Sequence, residues 1–221
     1  AGTDQGVAAV DLETNRFDLL FHPEEDRPGN RFNDGEVDRG GRFWAGTMDD
    51  EEKRESGALY RIDHELSWRR VDDGYKVTNG PAFSPDGRSM YHNDSARQVT
   101  YVFALDENGN ASDRRVFASF GEGDGYPDGM TVDSEGCLWI AFWDGWCVRR
   151  FAPSGECVGT LEMPVQRPTS CAFAGEELDE LYITSATVGL TAEELRAQPC
   201  AGGLFMAKPG VSGIPAVPFA G

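Results

Sequence analysis

The sequence of 221 residues has few basic side chains, few cysteines and no long apolar run. It contains 20 Lys and Arg residues against 38 Asp and Glu residues, a formal charge of −18. This balance argues against binding to nucleic acid or to an anionic membrane, because both need clustered positive charge. No stretch approaches the roughly 18 apolar residues of a membrane-spanning helix. The five cysteines include no CxxC pair, which excludes a zinc ribbon and predicts free thiols in a cytoplasmic protein.

Several motifs of enzyme chemistry are also absent. There is no GxxxxGK[ST] or GxGxxG segment to hold a phosphate group, and no GxSxG segment to carry a nucleophilic serine. The three histidines lack the spacing of metal ligands. A hydrophobic fraction of 39% with 13 Phe, 6 Tyr and 5 Trp is too high for a disordered chain. We therefore expect one folded domain over residues 1–221.

A repeat dominates what is present. The 27 glycines and 12 prolines are spread along the chain, which predicts many turns between short strands. A Gly-containing turn followed by an apolar strand recurs with its aromatic residue at Trp44, Tyr91, Trp139 and Tyr182, which lie 47, 48 and 43 residues apart. A second, alternating strand type occurs at 6–12, 57–63, 99–106, 147–155 and 202–207. A repeat of roughly 45 residues is the size of one β-propeller blade.

The same pattern disfavours a helical solenoid, since only residues 191–197 look helical, with Thr191 as the N-cap. Five copies of the second strand type and four of the first indicate that the chain starts partway through a blade. A propeller closes by pairing its terminal strands. We therefore expect residues to be missing upstream, with an unusual closure of the ring as the alternative.

Three polar segments stand in equivalent places of successive repeats. Each of these segments contains an Asn-Gly or Asp-Gly step ahead of the aromatic strand. The segments are residues 31–38, 78–84 and 126–133. Equivalent loops gather at one mouth of a propeller, so Asn33, Asn79 and Asp128 are expected to converge there. Their oxygen atoms suit a hard divalent cation. Such steps also build tight turns, which is the simpler interpretation for any one segment. Three such segments at equivalent positions of the repeat favour a cation-binding site.

The motifs RFNDG (31–35), GRFWAGTM (41–48), NGPAFSPDG (79–87) and PDGMTVD (127–133) resemble, in this order, the senescence marker protein/regucalcin/gluconolactonase family. The resemblance implies an all-β, six-bladed β-propeller, here lacking about the first blade and the start of the next. It also implies one divalent cation in the central channel, held in that family by a Glu, an Asn and an Asp. Asn79 and Asp128 match the last two. No Gly-Glu-Gly-Pro-like segment for the Glu is present, so we expect this chain to lack one metal ligand and to be inactive without it.

The resemblance further implies that Arg31 and Asn33 contact the substrate. By spacing, an acidic contact falls on Glu51, with Asp49 and Asp50 as close rivals. The implied activity is a metal-dependent hydrolase that opens a small sugar-derived lactone, with Asp128 as the general base. Calcium and zinc are the first choices of cation, and manganese and magnesium remain open.

Three other functions stay open at this point. They are hydrolysis of another ester or phosphotriester, a calcium-binding regulatory protein without relevant catalysis, and a propeller that only binds partners. The oligomeric state is also left open.

Overall fold

The computed structural model describes residues 1–221 and consists of five small antiparallel sheets. Blade 1 contains β1 (Gly2–Thr3), β2 (Gly6–Asp11) and β3 (Arg16–Phe21). Blade 2 contains β4 (Asn30–Val37), β5 (Phe43–Asp49), β6 (Gly57–Ile62) and β7 (Trp68–Tyr75). Blade 3 contains β8 (Thr78–Phe83), β9 (Ser89–Asp94), β10 (Val99–Leu105) and β11 (Ala111–Ser119).

Blade 4 contains β12 (Tyr126–Val132), β13 (Leu138–Trp143), β14 (Cys147–Phe151) and β15 (Cys157–Glu162). Blade 5 contains β16 (Pro168–Ala174), β17 (Glu180–Ser185) and β18 (Leu204–Ala207), with α1 (Ala192–Ala197) between the last two strands. In every blade each strand pairs with the next strand along the chain. This meander is the strand order of a propeller blade.

The first strands of blades 2 to 5 (β4, β8, β12 and β16) pack side by side in sequence, and β1 packs against β4. The expected propeller is therefore present, but with five blades and not six. The physical reason for this correction is the strand count, because eighteen strands fill three sheets of four and two sheets of three.

The repeat read from the sequence maps onto equivalent strands. Trp44, Tyr91, Trp139 and Tyr182 lie on β5, β9, β13 and β17, the second strand of each of blades 2 to 5. Two of them pack onto the next blade: the rings of Trp44 and Phe83 lie 6.0 Å apart, and those of Trp139 and Phe173 lie 6.1 Å apart. The core therefore sits between blades, and Trp44 and Trp139 each join one blade to the next.

Each of these two tryptophans is held by a buried aspartate of its own. Asp38 accepts a hydrogen bond from Nε1 of Trp44 at 2.9 Å, and Asp133 accepts one from Nε1 of Trp139 at 2.8 Å. Each carboxylate also accepts a bond from an arginine Nε, that of Arg42 at 2.7 Å or that of Arg150 at 2.8 Å. The spacing of six residues between aspartate and tryptophan thus corresponds to a hydrogen bond that connects each turn to its strand.

The segment after β18 crosses the molecule under the blades. Gly213 forms a β-bridge with Asp133 of blade 4, the Pro215 carbonyl accepts a hydrogen bond from Arg39 at 2.7 Å, and the Ala220 amide donates to the Gly41 carbonyl at 3.1 Å. Residues 214–217 lie beside the last residues of β4, β8 and β12. The tail therefore covers one end of the innermost strands, and the open end lies where those strands begin.

The helix α1 begins after Thr191, whose hydroxyl accepts a hydrogen bond from the Glu194 amide while the Glu194 carboxylate accepts one from the Thr191 amide. This confirms the capping box read from the sequence. All five cysteines are free thiols, and three of them are buried. No helix is long and apolar enough to cross a membrane.

His92 on β9 is a buried polar side chain without a hydrogen-bond partner. Both ring nitrogens are unpaired, and the ring packs edge-on against Tyr75 at 4.9 Å. Replacing His92 by leucine should raise the free energy of unfolding by about 1–2 kcal/mol, since burying an unpaired polar group is costly. Urea denaturation followed by circular dichroism measures the change. His64→Leu, at an exposed position, is the control and should shift it by less than about 0.5 kcal/mol.

The pH dependence distinguishes this explanation from better packing. Burial, and secondarily the charge of Arg114, lower the pKa of His92 from 6.5 to about 3. Between these values the unfolded chain binds a proton at this position that the folded chain does not, so stability is lost as the pH falls from 6.5 towards 3. The advantage of His92→Leu over the wild type should therefore grow below pH 6.5. An advantage that is equal at pH 5 and pH 8 would contradict the assignment.

Candidate functional site

A bulge interrupts the innermost strand of each of blades 2 to 5 at the same place. The pairing of β4 with β5 shifts register at Asn33, that of β8 with β9 at Gly80–Pro81, that of β12 with β13 at Asp128–Gly129, and that of β16 with β17 at Thr169. A bulge turns a side chain out of the regular alternation of the strand. These bulges lie near the open end of the channel, which brings their polar residues together.

A cavity of about 500 Å³ opens at this end. Its lining includes Arg31, Asn33, Lys76, Asn79, Asp128 and Trp143. The structure thus brings together four of the five residues that the sequence singled out for the site. Their roles as ligands and substrate contacts stay predictions.

A chain of hydrogen bonds links three blades across the cavity floor. Arg31 donates to the Oδ1 atom of Asn33 at 2.6 Å, and Nδ2 of Asn33 donates to Oδ1 of Asn79 at 3.0 Å. Nδ2 of Asn79 donates to the Ser95 hydroxyl at 2.8 Å, and that hydroxyl donates to the Pro127 carbonyl at 2.5 Å. Because each amide is held at both ends, the Oδ1 atom of Asn79 has a fixed orientation.

Asp128 supplies a half-buried carboxyl group to the site. Burial, and secondarily the neighbouring charge of Asp34, raise the pKa of Asp128 from 3.8 to about 8. The Gly129 amide opposes this shift by donating a hydrogen bond. A carboxyl group in this setting gains most from a nearby positive charge, which would stabilise its ionised form.

Asp34 is a neighbour that the sequence reasoning missed. It follows Asn33 within the RFNDG segment and accepts a hydrogen bond from the Gly80 amide of blade 3 at 2.8 Å. Its pKa is also raised, mainly by burial. The signal was present in the motif, but spacing alone does not show that the residue after Asn33 approaches Asp128.

Four acidic residues, 49–52, stand at the end of β5 and in the loop after it, and the one that lines the cavity is not the one assigned from the sequence. Asp49 is buried and bound by Arg54 at 2.6 Å, which holds its pKa near 2, and Asp50 pairs with Arg31 at 2.6 Å. Glu51 is exposed and pairs with Lys53 at 3.1 Å. Glu52 lines the cavity. The substrate contact assigned to Glu51 stays a prediction, and Glu52 is the better-placed carboxylate.

Aromatic side chains border the cavity on the blade 4 side. Tyr126 and Trp143 line it, and the Arg167 guanidinium lies 4.7 Å from the centre of a Trp143 ring while pairing with Asp144 at 2.6 Å. Sugar rings present C–H faces that pack well on flat aromatic groups. The arrangement therefore offers polar groups at the floor and an apolar wall beside them.

The donor set matches a hard divalent cation. The Asp128 carboxylate and the Asn79 carboxamide both line the cavity and offer oxygen atoms of the kind that a hard cation binds. No group of three or more His, Cys, Asp or Glu side chains is placed to hold a metal ion. Asn79 and Asp128 would therefore supply only two of a cation's ligands, and their role as ligands stays a prediction.

Comparison with known proteins identifies the family of the chain. Residues 1–187 match the family model described as the SMP-30/Gluconolactonase/LRE-like region. The chain belongs to this family. A 6-deoxy-6-sulfogluconolactonase of Pseudomonas putida is 42% identical over 217 residues, which are 98% of this chain and 75% of that protein. Regucalcin of Gallus gallus is 39% identical over 97% of this chain and 74% of its own length.

The solved structures place this SMP-30/gluconolactonase family member among the propellers. A regucalcin from Agrobacterium tumefaciens, described as a calcium-binding protein, superimposes with a TM-score of 0.92 at 28% identity. The match covers 98% of this chain and 74% of that protein. This confirms the family resemblance and the propeller fold read from the sequence.

Proposed function

We propose that the protein is a hydrolase that opens sugar-derived lactones with the help of one divalent cation. The observation that carries the proposal is the meeting of Asn79 and Asp128, from neighbouring blades, with Arg31 and Asn33 in one cavity. Family membership and the relative named as a sulfogluconolactonase support a lactone substrate. When bound, a divalent cation polarises the lactone carbonyl and stabilises the negative charge that develops on its oxygen.

The residues of the chain divide the remaining work. The ionised Asp128 carboxylate accepts a proton from the attacking water, whose oxygen forms the new bond to the carbonyl carbon. The bond from that carbon to the ring oxygen then breaks, and the proton ends on the ring oxygen, which gives the open hydroxy acid. Arg31 and Asn33 hold the lactone by hydrogen bonds, and their mutual bond of 2.6 Å fixes both before substrate arrives.

Removing the metal tests this function directly. The protein with its complete set of metal ligands should lose gluconolactone hydrolysis after treatment with a chelator and regain it on addition of calcium, zinc, manganese or magnesium, and the most effective ion identifies the cofactor. Hydrolysis is measured by the acid released, after subtraction of the spontaneous rate. Activity that is unchanged by the chelator would contradict the role of the cation.

The calcium-binding description of the Agrobacterium relative supports a second candidate, a calcium-binding regulatory protein without relevant catalysis. It predicts calcium binding by calorimetry with no hydrolysis of any lactone. Turnover of a phosphotriester but not of lactones would instead indicate that the protein hydrolyses another class of ester. A third metal ligand, a single domain and a cytoplasmic location remain predictions, as does the absence of nucleic-acid and membrane partners.

A further inference from the structure

Lys76 carries an ammonium group without a partner at the candidate site. It lies between β7 and β8, is half-buried and lines the cavity, and it forms no ion pair and no side-chain hydrogen bond. The other two lysines, Lys53 and Lys208, pair with carboxylates at 3.1 Å and 3.0 Å. In a chain with 38 acidic residues, an uncompensated cation inside a cavity calls for a ligand.

The surroundings explain why the ammonium remains free. Asp94 is fully buried beside Lys76, but its carboxylate accepts hydrogen bonds from the backbone amides of Lys76 and Val77, at 3.1 Å and 3.2 Å, and pairs with Arg97 at 3.0 Å. This carboxylate fixes the Lys76 backbone while Arg97 balances its charge. The side chain of Lys76 is thus held at the cavity without a counter-charge.

The other charged groups of the cavity do not supply that counter-charge. Arg31 is balanced by Asp50 at 2.6 Å, and Glu52 forms no ion pair with Lys76. Asp128 lies on blade 4 and belongs to the reacting end of the cavity. Lys76 lies in the bend at residues 76–77 that leads into β8, three residues before Asn79. It is also more exposed than the buried Asn79, so it lies towards the mouth.

We propose that Lys76 binds an anionic substituent of the sugar lactone, so that the preferred substrates carry a sulfonate, phosphate or carboxylate at the end remote from the lactone carbonyl. This inference rests on the proposed lactone hydrolysis. The ammonium offers three donors to the anion, and charge-assisted bonds of this kind are the strong ones. A cavity of about 500 Å³ has room for a hexose derivative with such a group.

The test compares gluconolactone with the same lactone carrying a sulfonate in place of its terminal hydroxyl. For Lys76→Met, which keeps the length and loses the charge, KM for the sulfonated lactone should rise by about 10- to 100-fold. Its kcat, and both constants for gluconolactone, should stay within about twofold, since the bond is equal in ground and transition states. Lys76→Arg should keep the preference. Phosphate- and carboxylate-bearing lactones identify which anion fits best.

Lys53→Met is the matched control. Lys53 lies in the acidic loop after β5, pairs with Glu51 and does not line the cavity. It should leave both substrates unaffected. A wild type without preference for the charged lactone, or a Lys76→Met variant that changes both substrates equally, would overturn the proposal. Calorimetry with the open-chain sulfonated acid needs no turnover. If neither lactone is hydrolysed the proposed function fails, while equal binding of this acid by wild type and Lys76→Met would refute the role of Lys76.

Discussion

Replacing Asp128 by asparagine is expected to lower kcat/KM for lactone hydrolysis by about 1,000-fold or more. A carboxamide of the same shape cannot accept the proton of the attacking water, and a general base typically contributes a factor of about 100 to 10,000. The charge that favours a cation is lost in the same step. The measurement is steady-state hydrolysis of gluconolactone in the presence of the activating metal, together with calorimetric titration of that metal.

Asp124→Asn is the matched control for this experiment. Asp124 precedes β12 on the same segment and pairs with Arg149 at 2.9 Å, but it does not line the cavity. Its variant should retain nearly full activity. A folded Asp128→Asn protein with wild-type hydrolysis would contradict the assignment, and circular dichroism establishes that the variant is folded.

Replacing Asp133 by alanine is expected to lower the free energy of unfolding by about 3–5 kcal/mol. The carboxylate is fully buried and accepts hydrogen bonds from Trp139, Arg150 and two backbone amides. Its removal leaves the indole N–H of Trp139 without a partner and leaves the largely buried Arg150 guanidinium with only the exposed Glu135 carboxylate, which costs far more than losing an exposed ion pair. Urea denaturation measures the change.

Asp86→Ala provides the comparison within the same repeat. Asp86 occupies the corresponding turn of blade 3, but it is exposed and bonds only to Ser84 and the Arg88 amide. Its loss should cost less than about 1 kcal/mol. If Asp133→Ala cost no more than this control, the buried carboxylate would not be what ties the turn of blade 4 to its tryptophan.

The sequence was a good guide to the blades because their signals are local and repeated. Trp44 and Trp139 follow an aspartate by six residues in both copies, and that spacing reports a hydrogen bond formed within one turn. The convergence of Asn33, Asn79 and Asp128 was also predictable, since equivalent positions of a repeat meet around an axis. Both inferences follow from the spacing of the sequence repeat alone.

Other features depended on single side chains and could not be read from a period. Glu52, not Glu51, lines the cavity, and Glu52 has a left-handed backbone with φ of 55° that spacing does not reveal. Lys76 stands in no motif, and its importance comes from its place in the cavity, where neither Asp94 nor Asp50 pairs with it because each is bound to an arginine. His92 lies within β9, and the absence of a partner for its ring is visible only in three dimensions.

The four aligned bulges carry a consequence for how such a protein can diversify. Each bulge presents its residue by the course of the backbone, so the side chain at Asn33, Asp128 or Thr169 can change without disturbing the pairing of its neighbours. Blades 2 to 5 then act as a frame with one interchangeable position each. New ligand sets and new substrate preferences can arise by independent substitutions at these few places, while the buried aspartate–tryptophan turns of blades 2 and 4 preserve the scaffold.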